Sequence, residues 1–359
     1  MSANKTGRRL SKQSLNGFIN YGIVILAYLV VQLMISQGLM SNSLQSLLVP
    51  VCCYVVMAVS LNLVVGVSGE LSLGHAGFMS LGAFSGIIVS VTLQSVIELA
   101  PLRLFLSMVV GAVMGGVGGV IVGVPVLRLR GDYLAIVTLA FGEIIKNIIM
   151  VLYVGVDEDG LHFATSEAAL NLSEAGTAIV KGPMGAVGVV KASTFTAGIL
   201  LVLLTLVIVQ NMVNSRAGRA ILALRDNRIA AESVGISVTK YKLMAFVTSA
   251  ALAGAAGALF GLNYSSVSAA QFDFNQSILV LVYVVLGGLG NIWGSIVATV
   301  VLYVLPEALR QFQDYRMLVY AIVLILVMLV TNNPMLKSLF TFAGRKARKE
   351  EAKKGGAVQ

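Results

Sequence analysis

Ten stretches of this chain are apolar over lengths that reach or approach the thickness of a lipid bilayer, and no other feature restricts the fold as much. They fall at about 18–35, 44–66, 71–93, 103–124, 132–154, 194–213, 243–262, 277–289, 292–308 and 317–331. A helix rises about 1.5 Å per residue, so about 20 apolar residues cross the ~30 Å hydrocarbon layer. No water satisfies the backbone there, so such runs must hydrogen-bond within themselves as helices. The expectation is an all-α fold, a polytopic transmembrane helix bundle of about ten spans. The eighth and ninth runs are short, and Gly287-Gly288-Leu289-Gly290-Asn291 between them is a poor helix. They read either as two spans or as one re-entrant pair. Composition agrees: 57% of residues are hydrophobic and 11% charged, against roughly 25% charged in a soluble domain.

The +9 net charge sits mainly in the tails and short loops. That distribution reads as membrane orientation and gives no folded basic face for nucleic acid. Residues 1–17 form a basic tail (Lys5, Arg8, Arg9, Lys12) and belong on the cytoplasmic side. The first apolar run lacks a small-residue cleavage site, so it reads as an uncleaved span. Arg128 and Arg130 follow the fourth run and lie inside; so do Arg216, Arg219, Arg225, Arg228, Lys240 and Lys242 after the sixth. A hydrophilic insert at 155–192 carries Asp157, Glu158, Asp159, Glu167 and Glu174 and belongs on the periplasmic face. The charged tail at 336–359 returns to the cytoplasm. Both termini are then cytoplasmic and 18–335 is the membrane domain, with Arg310 and Arg316 as exceptions that this count leaves outside. Five spans on each side of the insert permit two inverted five-helix halves.

Glycine dominates the fourth run. Gly111, Gly115, Gly119 and Gly123 recur every fourth residue, lining one helix face with bare backbone on which another helix can pack closely. Gly82 and Gly86 repeat the pattern in the third run, Gly257 and Gly261 in the seventh. Between the second and third runs, Gly66 to Phe78 places Glu70, Ser72 and His75 among glycines. Such groups are tolerated at membrane depth where they line a cavity or pack inside a bundle. The segment is therefore a bent element beside a solute pathway or a turn at the cytoplasmic helix entry. Glu143 and Lys146 share a face of the fifth run, with Asn147 beside them, as an internal ion pair or a solute contact. Adjacent Cys52 and Cys53 cannot bridge without strain and read as small hydrophobes.

The cytoplasmic stretch 214–242 is too long for a turn. Asp226 is placed to cap a short helix, Asn227 to Val234, which Gly235 ends. Ile229, Ala230, Ser233 and Val234 give that helix a smooth face. Two turns alone are unstable in water, so the helix needs a surface to dock on: a groove in a separate ATPase, which is favoured, or the protein's own cytoplasmic face. There is no G-x-x-x-x-G-K-[ST] phosphate loop, no metal-ligand spacing and no catalytic histidine arrangement. The expectation is a transporter subunit that is not an enzyme and holds no cofactor or metal of its own.

Four ordered blocks resemble the branched-chain amino acid permeases of ATP-binding-cassette (ABC) importers. Leu61 to Gly66 with Ser68 to Ala76 is similar to the signature of that family; Arg128 to Leu139 with Phe141 to Ile145 resembles its LivM-type branch. Gly218-Arg219-Ala220, Asp226, Ala230-Ala231-Glu232 and Gly235-Ile236 through Tyr241-Lys242-Leu243 are similar to the family's cytoplasmic loop. Leu286 to Gly294, followed by Leu305-Pro306-Glu307, completes the set. The resemblance implies an inner-membrane importer with a second, LivH-like permease, two ABC ATPases that bind ATP and Mg, and a periplasmic substrate-binding protein. It also implies that Arg219, Asp226, Ala230, Ala231, Glu232 and Gly235 couple the chain to the ATPase. Val180-Lys181 before Gly182-Pro183-Met184-Gly185 departs from the usual pattern. A urea or short-amide permease of the same superfamily and a secondary carrier are the alternatives.

Overall fold

A computed structural model describes residues 12–94, 96–127, 132–157, 160–172, 176–309, 315, 318–322 and 324–325. The outermost tails, Arg128, Arg130, Glu158, Asp159, Glu174, Arg310, Arg316 and most of 317–331 lie outside the described residues. The chain divides into two compact units, Met1–Thr299 and Val300–Gln359. The sheet and the helix contacts at the glycine-rich breaks lie in the first; described parts of the second are helical at 300–308, 318–322 and 324–325.

The apolar runs become helices α1 (Lys12–Ser36), α2 (Asn42–Asn62), α3 (His75–Thr92), α4 (Ala100–Val126), α5 (Asp132–Val151), α6 (Phe195–Asn214), α9 (Val238–Gly261), α10 (Phe274–Gly287) and α11 (Ile292–Ala308). Among the described residues six helices, counting α2 together with its continuation to Val67, are long and apolar enough to cross a membrane. Tyr21–Ser36, Phe274–Gly287 and Ile292–Ala308 are shorter apolar helices. The all-α expectation needs one correction. The insert and a distant segment form a five-stranded antiparallel sheet, order β2-β1-β3-β4-β5, from β1 (Tyr153–Asp157), β2 (Gly160–Ala164), β3 (Thr177–Lys181), β4 (Ala186–Val187) and β5 (Ser266–Val267). Its closing strand, β5, comes 79 residues after β4 (266 minus 187).

Helix α9 is the hub. Its run of alanines and glycines is buried almost throughout, and it packs against α3 and α4 at backbone contact. A Cβ placed at Gly82 would lie 1.9 Å from the Gly254 carbonyl oxygen; one at Gly257 would lie 1.9 Å from the Met79 oxygen. On α4, a Cβ at Gly111 would come within 2.9 Å of the Gly254 oxygen, and at Gly115 within 2.5 Å of the Ala250 oxygen. Gly119 faces the Ala250 methyl, and Gly123 faces Leu243 and Phe246. The opposite side of α4 exposes Leu102, Phe105, Val109, Val113 and Val117, the apolar surface expected of a helix facing lipid.

Helix α6 connects the sheet to the loop. It starts beside the sheet end, where Ala192 N–H donates to the Leu262 carbonyl (3.1 Å), and rises over 20 residues, roughly 30 Å. It ends at Ser215, whose hydroxyl accepts from Gly218 N–H (3.2 Å) to start α7 (Arg216–Asp226). The sheet and the α7–α8 loop, with α8 at Arg228–Ser233, therefore cap opposite ends of α6.

Candidate functional site

At the α7–α8 end, the break after α2 gathers three separate parts of the chain. Helix α2 widens into a π-helical turn over Leu63–Val67, a distortion frequent at functional positions. One face of this turn rests on the α10–α11 break: Asn62 Oδ1 accepts from Gly290 N–H (2.8 Å) and Asn62 Nδ2 donates to Ser295 Oγ (3.0 Å). Only glycine fits at residue 66, because a Cβ there would lie 2.2 Å from Gly290 N. The other face meets α7: Arg225 Nη1 donates to the Gly66 carbonyl (2.8 Å). Four residues on, Glu70 forms an ion pair with Lys242 of α9; their side chains are only 15% and 10% exposed.

Ser72 and His75 occupy different surroundings. Ser72 is buried and its hydroxyl, like that of Ser68, has no partner among the described residues. His75 opens α3 inside the bundle, with Nε2 2.9 Å from Ser60 Oγ. The helix start is held by hydroxyls from neighbouring helices: Ala76 N–H donates to Ser277 Oγ (3.0 Å) and Leu73 N–H to Thr138 Oγ1 (3.1 Å). Glu70 ties the break to α9 and His75 meets α2, while Ser72 is buried without a partner among the described residues.

On α5, Glu143 pairs with Lys146 and also accepts from Phe274 N–H (3.0 Å), at the first turn of α10. Asn147 faces outward into an open, largely apolar groove of about 500 Å³ lined by Ile144, Ile148, Val151, Leu152 and Thr165. The ion pair and Asn147 are therefore separate features.

In the loop, the cap of α8 differs from the sequence reading. Asn227, not Asp226, receives the Ala230 N–H (3.0 Å). Asp226 ends α7 and instead holds Arg225, its Oδ1 3.2 Å from Nη2. An extended Asn227 backbone separates two helices where the sequence suggested one. Gly235 stops α8 with φ +84, a value that costs glycine nothing. Ala231 turns inward against Leu224 and Val238, which fixes how α8 sits. Its other face is bare: Ile229 is 80% exposed and Val234 75%, with Ala230 and Ser233 between them. Glu232 pairs with Arg228 (3.0 Å), and Arg219 donates to the Asn214 carbonyl (3.3 Å). Arg225 and Asn227 were missed as contributors. An arginine in a basic loop gives no sign of a partner 159 residues earlier.

These features define a polytopic helical membrane protein with a glycine-packed core and a structured loop at one end. The chain belongs to the family of branched-chain amino acid transport system permease components, which it matches over residues 43–328. It is 32% identical over 290 residues to the high-affinity branched-chain amino acid transport system permease protein LivM of Escherichia coli, and equally to that of Salmonella typhimurium; each match covers 77% of this chain. The matched stretch spans 66% of the length of those relatives. The corresponding LivH protein of Salmonella typhimurium is 34% identical over 119 residues, 32% of this chain and 38% of the relative. No solved structure matches the chain.

Proposed function

We propose that this chain is a permease subunit of a binding-protein-dependent ABC importer that moves branched-chain or closely related amino acids across the inner membrane. The family supports the solute class. The observation that carries the ATP-driven reading is α8: a short helix anchored from behind by Ala231, presenting Ile229 and Val234 to solvent at the end of the bundle opposite the sheet. We assign these two exposed apolar side chains, carried together on one short helix of a basic loop, to contact with a soluble partner. On this reading a separate ATPase binds ATP and Mg and docks on the 214–242 loop at Arg219, Asp226, Ala230, Glu232 and Gly235, while Ala231 holds α8 from behind. A LivH-like permease completes the membrane pair and a periplasmic binding protein docks at the sheet end.

The same reading places both termini in the cytoplasm. It divides the chain into a tail at 1–17, a membrane domain at 18–335 and a tail at 336–359, with ten spans in two inverted halves. The glycine-rich breaks at 66–77 and 287–294, which fall in roughly corresponding places of the two halves, support that division. In cells carrying a phosphate-loop Lys→Ala variant of the partner ATPase, radiolabelled leucine uptake through this system should fall to background. Uptake that persists would make the chain a secondary carrier.

A further inference from the structure

We propose that Arg225 is a positioning residue that couples the α7–α8 loop to the membrane core by holding the π-helical turn Leu63–Val67 in register. This rests on the ATPase-driven reading and adds how loop movement reaches the bundle.

Arg225 is gripped at both ends. Asp226 holds Nε and Nη2 through one carboxylate oxygen (3.3 and 3.2 Å), which leaves Nη1 to the Gly66 carbonyl (2.8 Å). The arginine stem lies over Gly69, where a Cβ would come within 2.7 Å of Arg225 Cγ; Gly69 has φ +74. A shift of α7 therefore cannot leave the turn unaffected. On its far side the turn carries Gly290 and, through Asn62, Ser295 of α11. Loop, turn and the α10–α11 break form one continuous set of contacts.

The turn also has the means to rearrange. Its pairing is wider than that of an α-helix: Ser68 N–H donates to the Leu63 carbonyl and Glu70 N–H to that of Val64 (both 3.1 Å). Loss of the extra residue would rotate the side chains that follow it within the turn by about 100°, one residue of a helix with about 3.6 residues per turn. The buried Ser68 and Ser72 hydroxyls lack partners among the described residues, so no side-chain hydrogen bond of theirs opposes a rearrangement of the turn. A guanidinium fork that bonds a carboxylate and a carbonyl together biases that choice, and a lysine point charge cannot match both contacts.

The test uses the full importer in proteoliposomes, with ATP hydrolysis and leucine uptake measured on the same preparation. Arg225→Ala should assemble normally and hydrolyse ATP within twofold of wild type, while uptake falls at least tenfold. The ATP consumed per leucine then rises about tenfold. Arg225→Lys should recover part of the coupling, and Gly69→Ala, which displaces the arginine stem, should reproduce the defect. Hydrogen exchange on the chain in detergent gives a readout independent of transport: the Ser68 and Glu70 amides should exchange at least tenfold faster in Arg225→Ala, with α4 and α9 unchanged. Uptake that falls only in step with complex yield, or unchanged exchange at 68 and 70, would overturn the proposal. A wild-type complex that moves no leucine with ATP would instead overturn the function on which it rests.

Discussion

Adding one methyl group at successive glycines of the α3–α4–α9 core should give a graded loss of stability ordered by geometry. At Gly82 the new Cβ would sit 1.9 Å from the Gly254 carbonyl oxygen, against an ordinary contact of 3.4 Å or more. The two helices must then part by about 1.5 Å (3.4 minus 1.9). The obstacle is backbone on both sides, so no rotamer change relieves it. Overpacked cores cost roughly 1–3 kcal/mol, and Gly82→Ala belongs at or above the top of that range. Gly257→Ala should match it, with the Met79 oxygen at 1.9 Å. Gly115→Ala meets the Ala250 oxygen at 2.5 Å and should cost less; Gly123→Ala meets the mobile end of Leu243 at 2.8 Å and should cost least of the four. Gly116, on the same helix, is the control: its Cβ finds nothing closer than the Ala251 methyl at 3.5 Å. Gly116→Ala should gain up to about 1 kcal/mol from helix propensity. Denaturant titration of each variant in mixed micelles, followed by tryptophan fluorescence and monodispersity, measures the series. Equal effects at Gly82 and Gly116, or a destabilising Gly116→Ala, would refute backbone-contact packing of these helices.

Three further outcomes follow from the same geometry. Breaking the Glu70–Lys242 pair from one side, by Glu70→Gln or Lys242→Met, should cost about 3 kcal/mol because it strands a mostly buried charge, whereas Glu70→Leu with Lys242→Met should restore much of the loss; the same denaturant titration checks both. Asn227→Ala removes the α8 cap, worth about 1 kcal/mol, and should weaken ATPase binding measured by pull-down without lowering membrane insertion, while Asp226→Ala should leave the cap intact. Reporter fusions at Thr165 and Ser237 should report opposite sides of the membrane; agreement between them would contradict the assignment of the sheet and the loop to opposite ends.

The helices were legible because their signal is local. An apolar run needs no knowledge of its neighbours, and Gly111, Gly115, Gly119 and Gly123 announce a packing face by spacing alone. What that face packs against was not legible: Gly254 and Ala250 lie over 100 residues away, and the spacing of glycines in one run does not say which other run it meets. The sheet was hidden for the same reason, since its closing strand is two residues, Ser266–Val267, beyond α9. At the loop, local reasoning found a short helix with a smooth face and chose the wrong cap, because Asp226 and Asn227 are both good N-caps and backbone geometry decides between them. Glu70 read as a polar group beside a pathway or at a helix entry; its partner, Lys242, is 172 residues on. Pairings across that distance depend on how helices stack, which hydrophobic periodicity does not encode.

ATP-dependent leucine uptake into proteoliposomes containing this chain, its permease and ATPase partners and the binding protein tests the central claim most directly. Uptake should require ATP and every component, and excess isoleucine or valine should suppress it while urea should not. Uptake without the ATPase, or a urea-sensitive system that ignores branched-chain amino acids, would contradict it.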